Sequence, residues 1–281
     1  MIHIQSPIIS ASDLLTLSDS SAFVLIDARF GKENYYKSHL QGALHVDLNN
    51  QLSDIKADFA DGGRHPLPAA KRFSELLESL GISQTSHVVV YDDKNGANAA
   101  ARFWWMMKAV GHEKIQVLDG GMDAAIQAGF PVSSEVEKTP AKGTYKADQW
   151  QLPIADISEI DEVSQDKNYL IIDVRENERY RGEKEPIDLV AGHIPGAMNI
   201  PFASNLDHKG FFLSPIELKA KYEEALEGKS AENIIVHCGS GVTACHTLLA
   251  LAHAGMEIPK LYVGSWSEWS RNGREIATEL G

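Results

Sequence analysis

A cysteine at position 238 sits between a run of β-branched residues and a glycine-containing turn, in the segment IIVHCGSGVTA at 234–244. The run 234–237 reads as a strand buried on both faces. The thiol then follows at the strand's C-terminal edge, where open α/β sheets bind their ligands. Gly239 and Gly241 let the backbone curl and turn successive N–H groups inward. Those amides and the helix start behind them favour a thiolate at Cys238 without any general base. The cradle is formed by Gly239, Ser240, Gly241, Val242 and Thr243, with the Ser240 and Thr243 hydroxyls as further donors.

Two chemistries use such a loop. A Cys-dependent phosphatase or arsenate reductase needs an arginine six positions after the cysteine to clamp the oxyanion bidentately. Here that position is Ala244, and the next arginine is Arg271, which argues against phosphate. Sulfur transfer demands less: the cradle must hold one sulfane sulfur as Cys–S–S⁻. The second cysteine, Cys245, falls in a helix interior and reads as a small buried hydrophobe. Along a helix rise the two Cα atoms should lie about 10 Å apart, too far for the roughly 7 Å limit of a disulfide. Two free thiols suit a reducing compartment, and without further ligands they make no zinc site.

The elements that position this loop occur twice. VLIDAR at 24–29 matches LIIDVR at 170–175, HLQGA at 39–43 matches HIPGA at 193–197, HVVVYD at 87–92 matches NIIVHC at 233–238, and LDGGM at 118–122 matches YVGSW at 262–266. The order is the same in both halves, as a duplicated unit requires. Short apolar strands alternate with helical patterns, one of them opened by the capping box of Ser214, Pro215 and Glu217. The expected fold class is α/β, in two similar domains, each a mostly parallel sheet flanked by helices. The segment 135–151 has mixed charge, Pro and Gly and no sustained period. The expected organisation is a first domain over 1–137, a linker over 138–151 and a second domain over 152–281. Asp92 stands where the second half has Cys238, and a carboxylate cannot form a persulfide, so only the second domain should be catalytic.

The formal net charge of −13 argues against nucleic-acid and anionic-membrane partners. An anionic substrate would need a local positive patch. No run of 18 apolar residues predicts a transmembrane helix, and the N-terminal residues lack signal- and transit-peptide patterns; the expected location is the cytoplasm.

These residues resemble the tandem rhodanese family over essentially the whole chain. The motif GHIPGA at 192–197, the terminal GSWSEW at 264–269 and the loop CGSGVTA are similar to the 3-mercaptopyruvate sulfurtransferase form rather than the more basic thiosulfate form. The resemblance implies a sulfurtransferase that moves a sulfane sulfur from 3-mercaptopyruvate to a thiol or cyanide through a Cys238 persulfide. It implies no metal and no organic cofactor, with a thioredoxin-like protein as one candidate acceptor. Ser240 would relay a proton to the leaving enolate, with His39 as its candidate partner. Arg179 matches the first of two substrate arginines. The second falls near Ile187, where no arginine stands, and Arg181 is the candidate substitute. Arg64 and His65, in an unrepeated GGRHPLP loop at 62–68, and Trp266 are further candidates. Asp173 and Arg175 recur as Asp27 and Arg29 and read as structural. The alternatives are thiosulfate:cyanide sulfur transfer and, from another class, a rhodanese module that accepts sulfur from a protein or docks one.

Overall fold

The two halves build the same sheet. A computed structural model describes residues 6–20, 23–138 and 141–279. In the first half the strands are β1 (Ile8–Ile9), β2 (Val24–Asp27), β3 (His39–Leu40), β4 (Ala43–His45), β5 (Val88–Tyr91), β6 (Ile115–Leu118) and β7 (Val132–Ser133). In the second half they are β8 (Ile154–Ala155), β9 (Leu170–Asp173), β10 (Met198–Asn199), β11 (Ile234–His237) and β12 (Lys260–Tyr262). The first sheet runs β1-β6-β5-β2-β4 and the second β8-β12-β11-β9-β10, with every neighbouring pair parallel. Each strand of one sheet therefore has its repeat counterpart at the same place in the other. Parallel strands must be covered by helices on both faces, which is why the central strands β5 and β11 are buried at every residue.

The strand ends are fixed by a repeated ion pair. Arg29 binds both carboxylate oxygens of Asp27, and Arg175 binds both of Asp173. Both pairs are buried, so each charge leaves water only with its partner in place. In the second half the capping box of Ser214 and Glu217 forms and opens the helix Pro215–Leu226. The helix Ala244–His253 stops before Gly255, whose φ of 73° suits the left-handed turn after a helix.

By its internal contacts the chain divides into one unit of Met1–Ser53, Pro68–Gln151 and Gly210–Phe212, and another of Asp54–Leu67, Leu152–Lys209 and Leu213–Gly281. Two features depart from a division into consecutive halves. The segment read as a linker packs within the first unit: Tyr145 bonds His112, Trp150 lies near Phe73 and Trp105, and Gln151 N–H donates to Ala109 O. Its aromatic residues, Tyr145 and Trp150, carry the apolar surface that its mixed composition hides; Thr139 and Pro140 lie outside the described residues. The loop 54–67, encoded in the first half, belongs to the unit of the second. Among the described residues no helix is long and apolar enough to cross a membrane.

Candidate active site

Strand β11 delivers Cys238 to the C-terminal edge of its sheet, 3% exposed. The turn is tied down through its carbonyls. Cys238 O accepts from Trp266 N–H at 3.0 Å and Gly239 O from Ser267 N–H at 2.8 Å. Ser265, at φ 53°, accepts the Cys238 N–H on its hydroxyl at 3.2 Å and donates to Tyr262 O. Gly241 has φ 71°, and a Cβ there would stand 2.5 Å from Val263 O, so only glycine fits. Val242 is buried, Thr243 is half-buried, and the helix begins at Ala244. The expected cradle of 239–243 is thus a strand-to-helix turn held by the strip 264–267. Cys245 is buried and outside any disulfide, its thiol donating to Gly241 O at 3.4 Å.

The loop 54–67 brings two side chains to this turn. Its ends are joined by Asp54 N–H to Pro66 O at 2.9 Å. Arg64 N–H donates to the Ser267 hydroxyl at 3.0 Å, and Gly62 N–H to Glu268 Oε1 at 2.9 Å. A Cβ on Gly63 would lie 2.4 Å from Gly264 O; the backbone approaches that closely because no side chain intervenes. His65 Nδ1 then stands 2.8 Å from Ser240 Oγ. A Cβ placed on Gly239 would meet Arg64 Nη2 at 3.0 Å, Arg179 Nη2 at 3.4 Å and Asp188 Oδ2 at 3.6 Å. Two guanidinium groups therefore sit against the residue that follows the nucleophile.

These positions change several expectations. His39 is fully buried in the first unit, its ring stacked on Tyr35 at 3.8 Å and its Nδ1 2.7 Å from Tyr35 O. His193 repeats this on Tyr180, at 3.8 Å and 2.8 Å. A contact made identically in both copies is part of the fold, and the partner of Ser240 is His65. Arg181 lies 45% exposed between Glu183 and Glu279, as a solvated surface pair, while Ile187 is exposed. The second guanidinium near the turn comes instead from Arg64. Trp266 is wholly buried; its Nε1–H donates to Val190 O at 2.9 Å and Arg175 lies 4.6 Å over its ring. It is core, and its backbone rather than its ring serves the site. Sequence reasoning missed Ser265, Ser267 and Asp188. The first two lie inside the GSWSEW motif, whose serines carry the available signal.

Electrostatics around the turn is governed by paired burial. Arg179, side chain 11% exposed, pairs with Glu185 at 2.8 Å and Asp188 at 3.3 Å. Burial works against its charge, but the hydrogen-bonded Glu185 outweighs that and lifts its pKa above the ordinary value. Burial likewise pushes Glu185 upward, and the Arg179 guanidinium and two backbone N–H groups overcome it, leaving the carboxylate below its usual range. His237, fully buried at the end of β11, is pushed down by desolvation against the pull of Asp173 3.8 Å away.

A buried strand and a tight turn before a helix, made twice, with a thiol at the strand end in one copy and a carboxylate in the other, have the layout of a tandem rhodanese-like protein. The sequence matches the rhodanese-like domain over residues 10–128 and again over 156–272, and the chain belongs to that family. It is similar to the probable 3-mercaptopyruvate sulfurtransferase of Pseudomonas aeruginosa, 39% identical over 96% of this chain and 94% of the relative. The human 3-mercaptopyruvate sulfurtransferase is 34% identical over 94% and 88%, and the rat thiosulfate sulfurtransferase 35% identical over 86% and 81%. Among solved structures, the 3-mercaptopyruvate sulfurtransferase of Leishmania major matches with a TM-score of 0.83 at 28% identity, over 96% of this chain and 75% of that one. These relationships place the protein among the sulfurtransferases.

Proposed function

We propose that the protein transfers a sulfane sulfur from 3-mercaptopyruvate, through a persulfide on Cys238, to a thiol or cyanide acceptor. The observation that carries this reading is the turn itself: the thiol ends a buried strand, and the carbonyls of Cys238 and Gly239 are bonded to the N–H groups of 266 and 267, which supports a turn whose amides are free to turn toward the sulfur. Amide dipoles aimed where negative charge gathers stabilise it without reorganisation. The Cys238 thiolate attacks the donor sulfur. A new S–S bond forms, the donor C–S bond breaks, and its electron pair leaves on the enolate of pyruvate. Ser240 Oγ, oriented by His65 at 2.8 Å, stands to protonate that enolate. An acceptor thiolate or cyanide then attacks the outer sulfur, and the Cys238 thiolate departs regenerated.

Arg179 and Arg64 beside Gly239 suit the carboxylate of such a donor, and supply the local positive patch that a net charge of −13 demands. The same pair supports a second reading, thiosulfate as donor, because a dianion gains from two guanidiniums even though residues 239–244 hold no cation. The relatives carry both donor names. The cytoplasm, where cysteines outside disulfides persist, is the proposed place of work, with a thioredoxin-like protein as one acceptor. Mass spectrometry after treatment with each donor, then acceptor, tests the reading. Wild type should gain one sulfur on Cys238 and lose it to the acceptor, with steady-state turnover faster on mercaptopyruvate. No sulfur gain on Cys238 from either donor would overturn it.

A further inference from the structure

The helix Pro215–Leu226 carries two lysines, two residues apart, in opposite surroundings. Lys219 is 56% exposed and pairs with Glu223 at 3.7 Å, the ordinary state of a surface lysine. Lys221 is half-buried. Its Nζ donates to Asn205 Oδ1 at 2.8 Å and to Ser204 Oγ at 2.6 Å, and among the described residues no carboxylate pairs with it. Both acceptors are fixed by other bonds. Asn205 is wholly buried; its Oδ1 also accepts from Tyr222 OH at 2.6 Å, and its Nδ2 donates to Thr247 Oγ1 at 3.3 Å. The Ser204 hydroxyl donates to Pro201 O at 2.6 Å, which leaves its oxygen to accept from Lys221.

This set of acceptors fits one protonation state of the amine. An ammonium has three N–H donors to satisfy; a neutral amine has two, and a lone pair. Asn205 and Ser204 match the neutral form, and with both N–H groups held the lone pair points away from them. Burial of a charge without a counterion is costly. It drives the Lys221 pKa down to about 8, even though the Tyr222 ring 4.9 Å from Nζ favours the cation. The other titratable side chain against this cluster is His246, whose Nδ1 lies 3.4 Å from Asn205 Nδ2. Glu217, one turn before Lys221, is bonded to Ser214 instead. At a pH of about 7.5 roughly a quarter of such an amine is unprotonated, against about 0.1% of an ordinary lysine. Ser204 is exposed, so the amine beside it is open to reagents from solvent.

We propose that Lys221 is a site of acyl modification, its amine held by Asn205 and Ser204 to take a small activated acyl group from a thioester or an acyl phosphate. The Nζ lone pair attacks the acyl carbon, and a C–N bond forms. The C–S or C–O bond to the leaving group breaks, its electron pair departs with the thiolate or phosphate, and the surplus Nζ proton passes to water. The amide product is neutral and keeps one N–H for Asn205 Oδ1. The site does not depend on the sulfurtransferase reading above.

The test incubates the whole protein with acetyl-CoA or with acetyl phosphate and follows each lysine by peptide mass spectrometry. Near pH 7.5 Lys221 should be acetylated about tenfold faster than Lys219 by at least one of the two donors, and that donor identifies the source. Its rate should level off above about pH 9 while that of Lys219 keeps climbing. In denaturing urea the two lysines should react alike, since the fold makes the difference. Cys238→Ser should leave labelling of Lys221 unchanged. Rates at Lys221 and Lys219 within twofold of each other from both donors overturn the site, as does a Lys221 profile that climbs in parallel with Lys219. Loss of the label in Cys238→Ser would also overturn it, because the acyl group would then arrive through the thiol.

Discussion

The two turns after β5 and β11 are repeats of one structure with opposite contents. In the first, Asp92 is fully buried and its carboxylate accepts N–H bonds from Lys94, Gly96, Asn98 and Ala100 at 2.8–3.2 Å. Burial raises its pKa and those four donors oppose the rise. The loop has closed on an anion of its own. In the second, Cys238 presents a single sulfur to the turn, and the backbone behind it is fastened through carbonyls to 266 and 267. The difference teaches what the shared turn is for. The first is an anion receptor filled by its own side chain; under the proposed function the second is the same receptor left for charge that arrives on sulfur.

Substitution at the two equivalent positions should break this comparison most sharply. Cys238→Ser should abolish sulfur transfer from either donor, read as turnover, with little change in folding. Any residual turnover above background would move the nucleophile elsewhere. Next in size, His65→Ala should lower kcat about a hundredfold with KM less affected, whereas alanine at the stacked His39 should be felt in the urea midpoint. A drop in kcat confined to His39→Ala would reverse the assignment. Asp92→Ala should cost about 3 kcal/mol of unfolding free energy, because several buried N–H groups lose their acceptor together. Cys238→Ala should cost about 1 kcal/mol or less. Equal costs in urea titrations would mean that the first loop is not closed on its carboxylate.

The smallest effect is on pH. His237 ends β11 as Tyr91 ends β5, and its pKa lies below the ordinary 6.5. On acidification the unfolded chain takes up that proton first, so stability is full above about pH 6.5 and falls as the pH drops toward the folded-state value. Glu268, raised by burial, acts in the opposite sense, so the histidine's share is read by difference. The loss in urea midpoint between pH 7.5 and 5.5 should be smaller in His237→Phe than in wild type. An unchanged loss would show that His237 protonates freely in the fold.

Much of this was legible in the residues. The duplicated strands, the ion pair that ends β2 and β9, and the thiol in its turn are written in local patterns, since strand periodicity and glycine positions act over a few residues. The partner of Ser240 was not, because two histidines competed and only contacts distant in sequence separate them. His39 carries the motif yet is spent on Tyr35. His65 lies in a loop whose sequence is not repeated in the second half, and that asymmetry was the available signal. Arg181 and Arg64 exchanged places for the same reason: helical proximity to Arg179 counted for less than a loop pinned by Ser267 and Glu268, more than two hundred positions away.

That loop gives the silent half of the gene a reason to persist. A fragment cut at the repeat boundary would keep the nucleophile and lose both the imidazole beside Ser240 and a guanidinium beside Gly239. Under the proposed function, the copy without a thiol carries groups that the other uses, and deleting it would cost the catalytic copy part of its site.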